Sequence, residues 1–122
     1  MSAQRLVGLA LRASFLDQLL ESRPALSCLE LLADNYLRAD RATWRKLEAL
    51  RSHYPLTLHC VGMNIGSLDP LDGAYLDRIS ELSSRLAPIS VSDHLCFTAI
   101  DGTTSHDLLP LAHTPEAVLH CA

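Results

Sequence analysis

Apolar and polar positions along the chain repeat one pattern three times: a short apolar run, a loop, then apolar residues spaced three or four apart. Residues 5–12 (RLVGLALR) form the first run, which predicts a buried parallel strand. Ser14 then stands where a helix cap belongs, with Asp17 three residues on as the capping-box acid. Phe15, Leu16, Leu19 and Leu20 give that helix one apolar face, and Pro24 stops it. Residues 27–32 predict a second strand. Asp40 is placed to cap a second helix, whose stripe is Trp44, Leu47 and Leu50, and Pro55 closes it. Leu56, Thr57 and Leu58 read as a third strand that ends on His59. A loop with Gly62, Asn64, Gly66, Ser67 and Pro70 follows. Leu76, Ile79, Leu82 and Leu86 mark a third helix, and Pro88 ends it. Residues 89–92 form the fourth strand, which runs into Asp93 and His94. Asp101-Gly102 between β-prone residues predicts a hairpin turn within residues 97–106. Thr114-Pro115-Glu116 reads as cap, first-turn proline and first-turn acid of a fourth helix.

Strand–helix alternation with short loops implies an α/β fold with a parallel sheet and right-handed crossovers. Four such units make a small open sheet or half of a (β/α)8 barrel. A whole barrel takes about 250 residues, and the chain has 122. It therefore reads as one domain, residues 1–122, a truncated N-terminal half of a TIM (β/α)8 barrel. On this reading the first and fourth strands are open edges. Leu9, Leu31, Leu58 and Val91 are candidates to line the inner face. The loop of residues 62–70 should share the carboxyl edge of the sheet with Asp34, His94 and the hairpin, and the rings of His59 and His94 should converge there.

Composition removes several functions. Net charge is −4, and the basic residues between Arg38 and Arg51 are mixed with acids and apolar side chains, which argues against a nucleic-acid surface. No apolar run approaches the roughly 18 residues of a membrane span, and the N-terminal residues lack a signal-peptide layout. Cys28, Cys60, Cys96 and Cys121 form no CxxC pair, so they read as reduced thiols of a cytoplasmic protein.

Two strands that each end in histidine are the strongest chemical signal. Imidazoles on neighbouring strand ends can share one metal ion, and they suit Fe, Zn, Mn or Cu. The alternative is a buried histidine satisfied by a backbone carbonyl. Asp34 and Asp93 are candidates to ligate the metal, to orient an imidazole from behind, or to cap a loop. Asn35 is either a neutral oxygen ligand or a turn residue. Cys60 is a soft ligand or a small core residue. His106 and Asp107 lie where they could line the mouth of a site. His53, His113 and His120 read as ordinary surface. Gly62 and Gly66 lack the lysine and hydroxyl residue of a phosphate loop, and Ser67 lacks a nucleophile-elbow setting.

VGLALR, LELLADNY, YPLTLHCVGMNIGS, VSDHL and DLLPLAHT, in this order, resemble the MbnB/TglH/ChrH family, also known as UPF0276-like proteins. The resemblance covers roughly residues 6–116 and implies a xylose-isomerase-like TIM barrel, of which this chain holds the N-terminal half. Characterised members are multinuclear non-haem iron enzymes. They oxidise or rearrange cysteines of ribosomally made peptides, helped by a small partner protein. The resemblance implies that His59 and His94 are iron ligands and that Asp34 and Asn35 stand near the site. Asp93 occupies a position where glutamate is usual, Cys60 replaces a common glycine, and Ala112-His113 replaces a common proline–tyrosine pair. The remaining ligands of the family belong to later strands, so low iron occupancy is expected here.

The expected function is thus an iron-dependent oxidoreductase acting on a peptide substrate, or a piece of one. The alternatives are another metal-dependent barrel enzyme of the sugar-isomerase or hydrolase type, with Zn or Mn, and a non-catalytic interaction module. The expected partners are the peptide, the small partner protein, and either a second copy of the chain or a separate C-terminal half.

Overall fold

The computed structural model describes residues 5–122. Strands β1 (Gly8–Leu11), β2 (Cys28–Leu32), β3 (Leu56–His59) and β4 (Ser90–Ser92) form one parallel sheet in the order β1-β2-β3-β4. Helices α1 (Leu16–Ser22), α2 (Arg41–Arg51) and α3 (Gly73–Leu86) fill the three crossovers. A parallel sheet whose order follows the chain is the architecture of the N-terminal half of a (β/α)8 barrel.

Side-chain parity builds the core. Leu29 pairs with Leu56 and Leu31 with Leu58 in adjacent strands, so all four point to the same face. There they meet Leu16 and Leu19 of α1, Leu47 and Leu50 of α2, and Ile79, Leu82 and Leu86 of α3 in one buried cluster. Each fully buried leucine contributes about 1.5–3 kcal/mol. The opposite face carries mostly small and polar residues, with Leu32 beside His59 as an apolar exception. Gly8, Ala10, Cys28, Glu30, Thr57 and Ser90 line an open trough along it.

This parity corrects the expected inner face. Leu9 pairs with Leu29 and Val91 with Leu58, so Leu9, Leu31, Leu58 and Val91 all belong to the helix-covered face. Leu31 and Leu58 are fully buried there, whereas Leu9 and Val91, on the edge strands, stay 57% and 43% exposed. A one-residue error of phase moves a whole strand's side chains to the other face.

Most element ends follow the expected chemistry. Asp40 caps α2 by accepting from the Thr43 amide at 2.7 Å, and Thr114 caps α4 (Pro115–Cys121) with Pro115 in its first turn. Ser14 does not cap α1. The chain leaves β1 through a 3₁₀ turn, Ala13–Phe15, and Phe15 takes the cap position with no side-chain bond. Asp17 therefore sits in the first turn as a favourable charge for the helix dipole, paired with Lys46 at 2.6 Å.

The second unit is a hairpin, β5 (Cys96–Ile100) and β6 (Thr103–Pro110), with antiparallel pairing. Asp101 (φ 50°) and Gly102 (φ 70°) turn it. Positive φ at both central residues is the two-residue turn that matches strand twist.

Candidate metal centre

Burial of Leu58 on the helix side puts the next residue, His59, on the open face at the carboxyl end of β3. Ser92 is its register partner on β4, so the two side chains stand side by side. His59 Nδ1 lies 2.9 Å from Ser92 Oγ, and that hydroxyl donates to Leu58 O at 3.4 Å. In the tautomer with the proton on Nδ1, Ser92 Oγ accepts from His59 Nδ1–H. His59 Nε2 is left with a free lone pair.

That lone pair faces His94. The two Nε2 atoms are 2.9 Å apart, with ring centroids at 4.7 Å and planes at 66°. One proton shared between the nitrogens makes this a hydrogen bond. The same spacing fits a common ion, because two nitrogens about 2.05 Å from one metal at a right angle are about 2.9 Å apart. Among the described residues, no set of three or more His, Cys, Asp or Glu side chains gathers as a ligand cage. The chain thus offers two imidazoles and an open side.

Both flanking acids are engaged with backbone amides. Asp34 accepts from Val61 N at 3.0 Å and from the Tyr75 hydroxyl at 3.0 Å. Tyr75 Oη in turn accepts from Gly62 N at 3.2 Å. Asp93 accepts from Met63 N at 2.9 Å and from His94 N at 2.5 Å. Three consecutive amides are therefore held by side chains from three other segments. Burial and the charge of Asp34 push the Tyr75 hydroxyl's pKa up. Burial also pushes the Cys60 thiol up to about 11, with the charges of Asp93 and Asp34 adding to it. A protonated, fully buried Cys60 is a core residue.

The rest of the loop grips the hairpin. Asn64, at φ 56°, accepts from Thr98 N and Ala99 N at 2.6 and 3.2 Å and donates to Ala99 O at 3.2 Å. Ser67 donates to Ala99 O at 2.7 Å. Gly66 N reaches Cys96 O at 2.9 Å, and a Cβ there would come within 2.7 Å of that oxygen. The loop thus shares the carboxyl edge with Asp34, His94 and the hairpin, as its position in the chain predicts. Asn35 is exposed at the end of the 3₁₀ turn Ala33–Asn35, a turn residue. His106 lies on exposed β6, and among the described residues no hydrogen bond joins it to the histidine pair.

The sequence pattern of the RiPP precursor modification enzyme family MbnB/TglH/ChrH matches residues 6–122. The chain belongs to the MbnB/TglH/ChrH family. It is 41% identical over 120 residues to a UPF0276 protein of Acaryochloris marina, covering 98% of this chain and 43% of that protein. A UPF0276 protein of Caulobacter vibrioides is 39% identical over 112 residues, 91% of this chain and 40% of its own length. One from Vibrio parahaemolyticus is 36% identical over 113 residues, 93% and 39% respectively. The chain spans about two-fifths of the length of these relatives.

Within this MbnB/TglH/ChrH chain four contributors escape a reading of the sequence: Ser92 beside His59, Tyr75, Asp69 and His120. Tyr75 lies one position from the predicted apolar stripe, yet it is four residues before Ile79 on the same side of α3, which was the available signal. Asp69 accepts from Asp101 N at 3.0 Å and holds the hairpin turn. His120, expected as surface, donates to Ser67 O at 2.6 Å and ties α4 to the loop. The last two contacts join segments more than 30 residues apart, and no local pattern encodes them.

Proposed function

We propose that this chain supplies the N-terminal part of a metal centre that modifies cysteine residues of a ribosomally made precursor peptide. The observation that carries the reading is the convergence of His59 Nε2 and His94 Nε2 to 2.9 Å at the carboxyl edge, with His59 oriented by Ser92. His59 and His94 would hold the ion, and iron is the metal the family resemblance favours. Bound iron would supply one-electron and dioxygen chemistry, whereas Zn or Mn would supply Lewis-acid activation. By accepting from His59 Nδ1–H, Ser92 would leave the Nε2 lone pair free to hold the ion. The open side of the pair leaves room for water, a peptide thiolate and ligands from other strands. A small partner protein that presents the peptide belongs to the same reading.

Anaerobic titration with Fe(II), Zn(II) and Mn(II) tests it. The expected result is weak uptake by the wild-type chain, since two imidazoles leave most of the coordination shell to water, that His59→Ala and His94→Ala each abolish. Equal uptake by both variants and the wild type would remove the centre from these residues. Uptake of Mn(II) in preference to Fe(II), against the usual order of divalent affinities, would favour an isomerase- or hydrolase-type enzyme. No uptake would favour a non-catalytic module.

A further inference from the structure

We infer that Asp93, Tyr75 and Asp34 are positioning residues that set the separation of His59 and His94 by clamping the amides of Val61, Gly62 and Met63. The inference deepens the metal reading and rests on it. The clamped amides begin two residues after His59, so whatever fixes them fixes the end of the strand that carries this imidazole. Asp93 is the direct tie. Its Oδ2 reaches Met63 N at 2.9 Å, across from the strand of His94 to the loop of His59. Tyr75 reaches Gly62 N from α3, and Asp34 reaches Val61 N from beyond β2. Asp34 and Tyr75 also bond each other at 3.0 Å, so these two arms act as one brace.

Gly62 is a second, independent sign that the clamp is closely fitted. A Cβ at this position would come within 2.7 Å of the Tyr75 ring and 2.9 Å of Asp34 Oδ1. The backbone therefore approaches the brace as only glycine allows. Both carboxylates face amide donors rather than the imidazole nitrogens. Their effect on the ion would pass through the geometry of the histidine pair, as supporting groups do in metal sites generally.

The test reads the pair with and without metal, on the full chain. In metal-free, ¹⁵N-labelled protein, the proton shared by His59 and His94 should give a ring N–H signal that disappears in His94→Ala. Asp93→Ala should lose or shift that signal while a thermal melt still reports a folded chain. Asp93→Asn keeps one of the two oxygen acceptors that Asp93 offers to Met63 N and His94 N and should restore it in part. Tyr75→Phe removes one hydroxyl and should speed hydrogen exchange of the Gly62 amide about tenfold, the equivalent of one hydrogen bond. Gly62→Ala wedges the brace open without deleting a polar group and should do the same. Co(II) affinity should fall by about 10- to 100-fold in Asp93→Ala and recover in part in Asp93→Asn. A ring signal and Co(II) affinity unchanged in both Asp93→Ala and Gly62→Ala would overturn the clamp. A wild-type chain that takes up no Co(II) would overturn the metal reading, and the ring signal in metal-free protein would then decide the clamp by itself.

Discussion

The sheet with its three helices and the β5–β6 hairpin with α4 are held by different forces. In the first region Leu29, Leu31, Leu47, Leu50, Leu58 and Leu86 are fully buried, and apolar burial is the main favourable term. In the second, β6 is exposed along nearly all its length and α4 has no buried residue. That region keeps its place through polar contacts: Asn64, Ser67 and Asp69 on the hairpin and His120 on the loop. The histidine pair sits at the junction, on strands rooted in the core and loops held by hydrogen bonds. A rigid base with a polar, locally openable rim is how a fold presents chemistry without loosening its core.

The sharpest way to break this contrast is through the core. Leu58→Ala removes a fully buried side chain from the central strand and should cost about 2–5 kcal/mol. Chemical denaturation should detect it as a lower midpoint of the whole transition, with the hairpin lost together with the sheet.

The open edges come next. Among the described residues β1 and β4 each pair on one side only, and Leu9 and Val91 remain exposed beside them. Unpaired apolar edges invite strand addition. Sedimentation at micromolar concentration should find association, either with a second copy or with an added C-terminal half. Leu9→Lys with Val91→Lys should reduce it, and a wild-type monomer at that concentration would show that the edges are self-sufficient.

Asn64→Ala should act on the rim alone. Three hydrogen bonds to the hairpin disappear, a local loss of about 1–3 kcal/mol. Hydrogen exchange should speed up in β5 and β6 while the sheet's protection stays unchanged. Equal loss of protection in both regions would erase the distinction between them.

Alkaline titration should give an effect of similar size, about 2 kcal/mol by pH 11. Folding raises the thiol of Cys60 from 9.0 to about 11 and also raises the hydroxyl of Tyr75. A group whose folded pKa lies above its unfolded value stabilises the fold below the unfolded pKa and loses that contribution as pH rises through the folded one. Thermal melts should therefore be flat below about pH 9 and decline from there towards pH 11, less steeply in Cys60→Ala. The smallest effect belongs to the surface. Glu48→Ala breaks an exposed 2.7 Å ion pair with Arg85, and Arg85 keeps its place over the Trp44 ring at 3.5 Å. The change should stay within about 1 kcal/mol.

Much of the fold was legible because its signals are local. Proline stops, helical spacing and short apolar runs gave the parallel strands and the helices between them. Asp101-Gly102 gave the hairpin turn, since few residue pairs accept two positive φ values. Ser14 misled because a tight turn after β1 shifted the cap by one residue. The four residues assigned to the inner face misled because a short apolar run has no visible phase: Leu31 and Leu58 look the same whichever face they take.

The site divides in the same way. That His59 and His94 end neighbouring strands, and so share the carboxyl edge, follows from sequence order and the parallel rule alone. The roles of Asp34, Asp93 and Tyr75 do not. Their partners are backbone amides 27, 30 and 13 residues distant, and an amide is the same group at every position. Sequence determines which side chains carry hydrogen-bonding groups and which segments become strands. Only the tertiary structure brings one carboxylate within about 3 Å of one particular N–H, and so sets Asp34 against the Val61 amide and Asp93 against the Met63 amide.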